Sequence, residues 1–257
     1  MEFADYLAWT RADGDRLAAV AELGLDAAVP SCPGWTVEDL VGHTGWVHRQ
    51  KTQVVRESWM EGAPEPVEPP DHDLVAWYLQ GLAEMLSVLA AHDPSERVAT
   101  WYEDDQTVGF WYRRMACETV VHRIDAELAH GVVTEIDPEL ATDAVDEILA
   151  IMMTGYPSWG DLVFGDDTLQ ITTADTGRSW TMRLAAFSGT SPNTGTTYED
   201  EPTLVFVDAA QTRTVISGDA EDLLLFLWGR RSDEGLTVTG DETMVDRLRD
   251  IAADVTQ

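Results

Sequence analysis

The segment RRMACETVVHRIDAE, residues 113–127, decides the predicted fold, because it places ionisable side chains on the apolar face of a helix. We predict that this helix extends over about residues 110–130 and ends at Gly131. At about 100° per residue, one sector of it contains Trp111, Met115, Glu118, His122 and Asp125. The apolar members indicate a buried sector, where an ionised carboxylate is costly unless it is paired or binds a metal.

A second helix, predicted over about residues 37–58, directs a histidine toward the same core. Thr36 is its expected N-cap, and Asp39 occupies the third helical position of a capping box. Its apolar stripe consists of Leu40, Val47 and Val54, and His43 lies within that stripe. His48 lies well round the helix from His43 and is predicted to face solvent or an interface.

The two inward faces together predict a metal site. Glu118 and His122 are four residues apart and project from one face of their helix. Because packed helices lie about 8–10 Å apart, His43 can reach the same cation. Two imidazoles and a carboxylate with one open position are typical of catalytic zinc, and Asp125 is a candidate to orient His122. The alternatives are a hydrogen-bonded core histidine and a surface Glu–His pair.

The remaining chain predicts an α+β protein of two domains. Residues 1–155 are expected to form an up-and-down four-helix bundle, and residues 160–257 a small α+β domain with a mostly antiparallel sheet. Further helices are predicted over 3–24, 73–91, 138–154 (ending near Gly155), 219–229 and 241–254, and a proline-rich linker over 61–73. Strands are predicted over 167–174, 178–185, 203–208, 213–217 and 236–239, with a flexible loop over 188–199.

Composition excludes several classes of function. The 257 residues include 47 acidic and 16 basic side chains, for a formal net charge of -31. Such a charge repels nucleic acid and anionic membranes, so neither is an expected partner. Two cysteines are too few for a disulfide framework, and we expect no targeting segment and no membrane span. The sequence therefore predicts a cytoplasmic protein; it does not determine the oligomeric state and is compatible with a monomer.

Three segments resemble the mycothiol-dependent maleylpyruvate isomerase family. They are PSCPGWTVEDLVGH at 30–43, RRMACETVVHRIDAE at 113–127, and GDAEDLLLFLWGRR at 218–231, the last followed by LTVTGDE at 236–242. The family combines a DinB-like four-helix bundle with a smaller α+β domain, so the resemblance spans nearly the whole chain. It implies a divalent metal, usually zinc, held by His43, Glu118 and His122.

The resemblance also implies the chemistry. Mycothiol would be the cosubstrate, and its thiolate would add to a small electrophilic substrate, leading to cis–trans isomerisation or S-transfer. An arginine of the second domain would act at the site: Arg230 is the best match and is taken as the catalytic candidate, with Arg231 next. The alternative for Arg230 is a charge that complements a helix C-terminus.

Two other functions remain open on the sequence alone. One is a non-catalytic bundle protein, in which the metal is structural or absent and the second domain binds a partner or small ligand. The other is a hydrolase in which metal-bound water attacks the substrate. The sequence does not identify the electrophile or the metal ion.

Overall fold

The chain folds into two compact units. The structure is a computed structural model that describes residues 1–60, 64, 67–70, 72–154, 156–209 and 211–256. The first unit, Met1–Glu135, is helical, and the second, Ile136–Gln257, combines helices with a five-stranded sheet. The predicted α+β class with a helical first domain is therefore confirmed.

Four long helices build the first unit. They are α1 (Phe3–Ala21), α2 (Val37–Arg56), α3 (Leu74–Ala91) and α4 (Val108–His130). Helix α1 packs against both α3 and α4, and so does α2, whereas α1 and α2 have little contact with each other. Helices α1 and α2 therefore lie at diagonally opposite corners of the bundle. The capping box of α2 is present as predicted, and Gly131, with φ of 66°, ends α4 in the left-handed conformation that favours glycine.

The helices run up, down, down and up, which differs from the simple up-and-down order that we predicted. Contacts advance in the same direction along α1 and α4, from Asp13–Arg123 to Arg16–Glu127, so these two helices are parallel. Contacts between α2 and α3 advance likewise, from Gly45 beside Trp77 to Arg56 paired with Glu84. The bundle is thus made of two parallel pairs.

The connection between α2 and α3 permits this order. It is the proline-rich segment 57–73, of which residues 61–63, 65, 66 and 71 lie outside the described part of the chain. An extended chain spans about 3.3 Å per residue, whereas α2 rises about 1.5 Å per residue. The connection can therefore return along the whole of α2 before α3 begins.

One described helix has the length and composition of a membrane span, although we expected none. This helix is α3, Leu74–Ala91. Its side chains Tyr78, Leu82 and Met85 are fully buried within the first unit. Burial of this kind is typical of the core helix of a bundle, for which the same composition is needed.

The second unit begins earlier than we predicted. The division falls before α5 (Pro138–Glu147), which is followed by a π-helical turn, Ile148–Met153. We had assigned this helix to the first domain because it follows the bundle without a long linker. It packs instead on α6, and Asp146 accepts a hydrogen bond from Trp180 of the sheet at 2.7 Å. Gly155, the predicted end of this helix, lies outside the described residues.

The sheet has the order β3-β2-β1-β4-β5, and only the β1–β4 pair is parallel. The strands are β1 (Gly160–Thr173), β2 (Ser179–Thr190), β3 (Thr197–Phe206), β4 (Thr214–Gly218) and β5 (Thr237–Thr239), and the last helices are α6 (Ala220–Leu227) and α7 (Thr243–Val255). The predicted β1–β2 hairpin is present. The prediction of a loop over 188–199 is wrong in part, because β2 and β3 extend into this segment. Their residues there show no apolar alternation that would have indicated strands.

Candidate metal centre

The loop before α2 and the middle of α4 bring the predicted ligands together. Thr36 Oγ1 accepts from the Asp39 amide, and Asp39 Oδ2 accepts from the Thr36 amide at 2.8 Å, so the start of α2 is fixed just before His43. Glu118 and His122 lie one turn apart on α4, which faces α2. The first turns of α2 thereby meet the centre of α4.

The three predicted ligands converge. Glu118 Oε1 lies 3.5 Å from His43 Nε2 and 3.2 Å from His122 Nε2. One ligand atom from each residue lies within 4.8 Å of the other two, and this is the group that the described residues offer for a metal ion. The exposed side-chain fractions are 32% for His43, 16% for Glu118 and 12% for His122, so the centre is shielded from solvent mainly on the α4 side.

Asp125 holds His122 in the orientation that a metal would require. Asp125 Oδ2 lies 3.0 Å from His122 Nδ1, and the Asp125 side chain is fully buried. A proton on Nδ1 leaves the Nε2 lone pair directed toward Glu118 and His43. Asp125 is itself held by the loop before α2, because Ser31 Oγ donates to Oδ1 at 2.5 Å and Cys32 Sγ lies 3.8 Å from Oδ2.

The charge of Glu118 is also set by its neighbours. Its second oxygen, Oε2, forms an ion pair with the buried guanidinium of Arg114, one turn earlier on α4. Burial alone would raise the pKa of Glu118, but Arg114 and the two histidines hold it well below its usual value. Glu118 is therefore an ionised, acceptor-only group at neutral pH, as a metal ligand must be.

Two tryptophan rings lie beside His43. The Trp35 ring centroid lies 5.1 Å from that of His43, and the Trp46 centroid lies 6.3 Å from it. These rings restrict the rotamers of His43 and place apolar surface next to its imidazole.

The chain matches the family models over both units. Residues 7–127 match the model described as the mycothiol maleylpyruvate isomerase N-terminal domain, and residues 139–247 match the MDMPI C-terminal domain. The chain belongs to this family. The family boundary between 127 and 139 agrees with the division of the structure before α5.

Solved structures show the same fold in this isomerase family. Crystal structures of the mycothiol-dependent maleylpyruvate isomerase and of a histidine-to-alanine mutant of it superpose with TM-scores of 0.55 and 0.57. Their sequence identities to this chain are 15% and 14%, and 93% of each chain is covered in both comparisons. No curated protein matches the sequence.

Sequence reasoning missed several partners of the centre and was wrong about one histidine. His48, predicted to face solvent or an interface, is fully buried: its Nε2 lies 3.2 Å from Thr119 Oγ1. The reason is that α2 packs against both α3 and α4, so most of its circumference is covered. Burial lowers the pKa of His48 to about 3, which makes it neutral at pH 7. Of the missed partners, only Arg114 had a sequence signal, its spacing of four from Glu118.

The candidate arginines lie just beyond the end of α6 in the second unit. Gly229 takes a φ of 68°, and the Arg230 amide then donates to the Leu225 carbonyl at 2.7 Å. The Arg230 guanidinium donates to the Trp228 carbonyl at 2.6 Å. Arg231 instead forms ion pairs with Glu221 and Asp222 of its own unit. This pairing makes Arg231 the weaker candidate, and the catalytic role of Arg230 stays a prediction.

The protonation of His122 predicts a pH-dependent metal affinity. Burial opposes protonation of this imidazole, but Glu118 and Asp125 outweigh it and raise the pKa to about 9 from 6.5. In the metal-free chain, His122 therefore stabilises the fold fully below pH 6.5, and this contribution is lost as the pH rises through about 9. A metal must displace the proton, so its affinity should rise over the same window.

The number of protons released on metal binding is measured by titrating zinc calorimetrically in buffers of different ionisation enthalpy. We expect release of about one proton per ion at pH 7 and less as the pH approaches 9. His92→Ala is the control, because His92 pairs with Glu96 elsewhere on the surface and should leave proton release unchanged. Zinc binding without proton release at pH 7 would contradict the assignment of His122 as a metal ligand that is protonated in the metal-free chain.

Proposed function

We propose that this chain is a metal-dependent, mycothiol-using enzyme that activates a thiol for addition to a small electrophilic substrate. The observation that carries the proposal is the convergence of His43, Glu118 and His122 on one point. Cis–trans isomerisation is the first reaction to expect, because the family and its solved members are named for it. S-transfer is the variant that the same residues would support.

The residues fit a divalent ion. Ligands about 2.1 Å from a tetrahedral zinc lie about 3.4 Å from one another. The measured separations of Glu118 Oε1 from the two Nε2 atoms, 3.5 and 3.2 Å, are close to that value. Two imidazoles with one carboxylate suit zinc and leave a position for a further ligand. We therefore propose zinc as the ion.

Each residue around the ion has a defined role in the proposal. When bound, the ion would lower the pKa of a thiol and so favour the thiolate at neutral pH. Asp125 keeps the proton of His122 on Nδ1, and Arg114 keeps Glu118 ionised. Trp35 and Trp46 lie beside His43, where they would help to exclude water from the reacting atoms.

The reaction balances without any other reactant. The thiolate sulfur forms a bond to one carbon of a cis double bond, and the π electrons move to the neighbouring carbonyl system. Rotation about the resulting single bond and expulsion of the same thiolate give the trans isomer and return the thiol. If the adduct is protonated instead, the thiol stays attached and the reaction is S-transfer. Arg230 is proposed to hold a substrate carboxylate as a bidentate pair.

Thiol stoichiometry distinguishes the candidate reactions. Zinc-loaded protein is incubated with maleylpyruvate and mycothiol, and the trans product and free thiol are both measured. An isomerase should turn over many substrate molecules per thiol, whereas an S-transferase should consume one thiol for each molecule of substrate. Turnover of an ester without thiol would support a hydrolase instead, and absence of thiol binding by the loaded protein would support a non-catalytic bundle.

The proposal also covers the partners of the protein and its location in the cell. A small thiol and a small electrophile are the proposed partners, and the proposed location is the cytoplasm, where such thiols are kept reduced.

A further inference from the structure

Lys51 is the single lysine of the chain, and it lies on the helix that carries His43, two turns further along. On α2, His43, Val47 and Lys51 follow one another at a spacing of four residues and so share one face. On α4, His122, Glu118 and Arg114 share the facing stripe at the same spacing. Since α2 and α4 are antiparallel, Lys51 lies opposite Trp111, and its ammonium is 4.6 Å from that ring centroid.

The Lys51 ammonium has no carboxylate partner among the residues that the structure describes. Its contacts there are Gln50 Oε1, which accepts a hydrogen bond from it, and the face of the Trp111 ring. A lysine ammonium has three donors, and these contacts satisfy only one of them by a hydrogen bond. Burial lowers the pKa of Lys51 to about 8, with Glu118 opposing and Arg114 adding to the effect. It is therefore still mainly a cation at pH 7.

The charge around the metal centre differs from that of the whole chain. The formal net charge is -31, which disfavours anions over most of the surface. Around the metal centre, however, Lys51 and Arg114 balance Glu118 and Asp125, and a divalent ion would make the charge there positive. An anionic small molecule entering this acidic protein is therefore attracted to the face that carries the metal centre.

We propose that Lys51 binds a carboxylate of the electrophilic substrate and so places the reacting carbons beside the metal centre. Lys51 lies two turns from His43 on the same face of α2, or roughly 12 Å along the helix axis. A thiol bound at the metal centre and a substrate of a few carbons together have a length of this order. This inference rests on the proposed function, and it names a specificity residue in the same unit as the metal ligands.

The structural alternative is that the Lys51 stem merely packs on Trp111. Lys51→Met and Lys51→Arg separate the two roles: methionine keeps an unbranched stem on the ring but removes the charge, and arginine keeps the charge. Arg56→Met is the matched control, because Arg56 is a basic residue of the same helix whose partner is the exposed Glu84.

The first measurement is the chemical modification of Lys51. The metal-loaded chain is acetylated at pH 8 with a small amine reagent, and the peptide containing residue 51 is quantified by mass spectrometry. A saturating concentration of succinate should slow its acetylation by about fivefold or more, because the carboxylate covers the ammonium, whereas neutral succinamide should change the rate less than about twofold. Equal rates with both compounds would overturn the proposal.

The second measurement is succinate affinity by calorimetry. Removing one charge-assisted contact should weaken binding by about 10- to 100-fold in Lys51→Met, and by no more than about threefold in Lys51→Arg or Arg56→Met. Unchanged affinity in Lys51→Met would assign Lys51 a packing role only. In steady-state kinetics, Lys51→Met should raise KM for a carboxylate substrate by a similar factor and leave its carboxamide analogue unaffected.

The two proposals fail separately. If the chain binds no metal and yet succinate protects Lys51, the anion site stands and the proposed enzyme function is wrong. If metal binds and thiol-dependent turnover is present but Lys51→Met changes neither protection nor KM, the function stands and the role of Lys51 is wrong.

Discussion

Replacing Glu118 by alanine is expected to reduce bound zinc from near one ion per chain to almost none. Glu118 Oε1 is the atom that both imidazoles approach, at 3.5 Å from His43 and 3.2 Å from His122. Its loss removes a ligand and the negative charge that offsets the ion, so the affinity should fall by more than about 100-fold. Elemental analysis and a competitive chelator titration measure this.

Graded variants make the test of the centre specific. His43→Ala and His122→Ala should also lose the metal. Asp125→Asn keeps all three ligands but removes the charge beside His122, so it should weaken metal affinity by about 10- to 100-fold. Glu84→Ala is the control, because Glu84 is an exposed glutamate paired with an arginine. Metal content that is equal in wild type and Glu118→Ala would show that the ion binds elsewhere.

Replacing Glu127 by alanine is expected to destabilise the first unit by about 3–5 kcal/mol, because it breaks a buried charge network. The Glu127 carboxylate is fully buried and is contacted by Arg16 at 2.6 Å and by Arg123 at 2.9 Å. It also accepts from the Thr134 amide and hydroxyl at 2.9 and 2.7 Å. The substitution would leave Arg123, itself buried, with Asp13 as its remaining carboxylate partner among the described residues.

Urea denaturation of the full chain measures this, with circular dichroism as the signal. Glu84→Ala, which removes an exposed partner of Arg56, should cost no more than about 1 kcal/mol. The double variant Arg123→Met/Glu127→Met should recover part of the lost free energy of unfolding, because it leaves fewer buried charges unpaired than Glu127→Ala does. Equal effects of Glu127→Ala and Glu84→Ala would show that burial does not strengthen the Glu127 network.

The Glu127 contribution should also depend on pH. Burial alone would raise the pKa of Glu127, but the hydrogen bonds from Thr134, Arg16 and Arg123 outweigh it and lower the pKa below 4.5. A lowered carboxyl pKa stabilises the folded state above the ordinary value and loses that effect as the pH falls through the folded value. The difference in free energy of unfolding between wild type and Glu127→Ala should therefore become smaller at acidic pH.

The helical periodicity of α2 and α4 was enough to predict most of the residues of the metal centre. His43 in the Leu40–Val47–Val54 stripe, and Glu118 with His122 one turn apart, are spacings that any helix translates into positions on one face. Local signals likewise determined helix ends, as the capping box at Thr36 and the left-handed Gly131 show. These features depend on a few neighbouring residues, so a sequence specifies them.

Features that depend on distant partners were not determined in this way. The burial of His48, the contacts of Ser31 and Cys32 with Asp125, and the position of Lys51 over Trp111 all follow from which helices become neighbours. The parallel pairing of α2 with α3 was missed for the same reason, because a long connection permits either direction. The assignment of α5 to the second unit depends on packing with α6 and the sheet.

The sequence by itself thus determined the α+β class, the helices that carry the ligands and the face on which each ligand stands. Only the tertiary structure decided which faces meet, because the free energy of packing depends on all the side chains in contact and not on local spacing. Asp125 shows the difference: its position on α4 is a matter of helical period, whereas its link to the loop before α2 exists only in the folded unit.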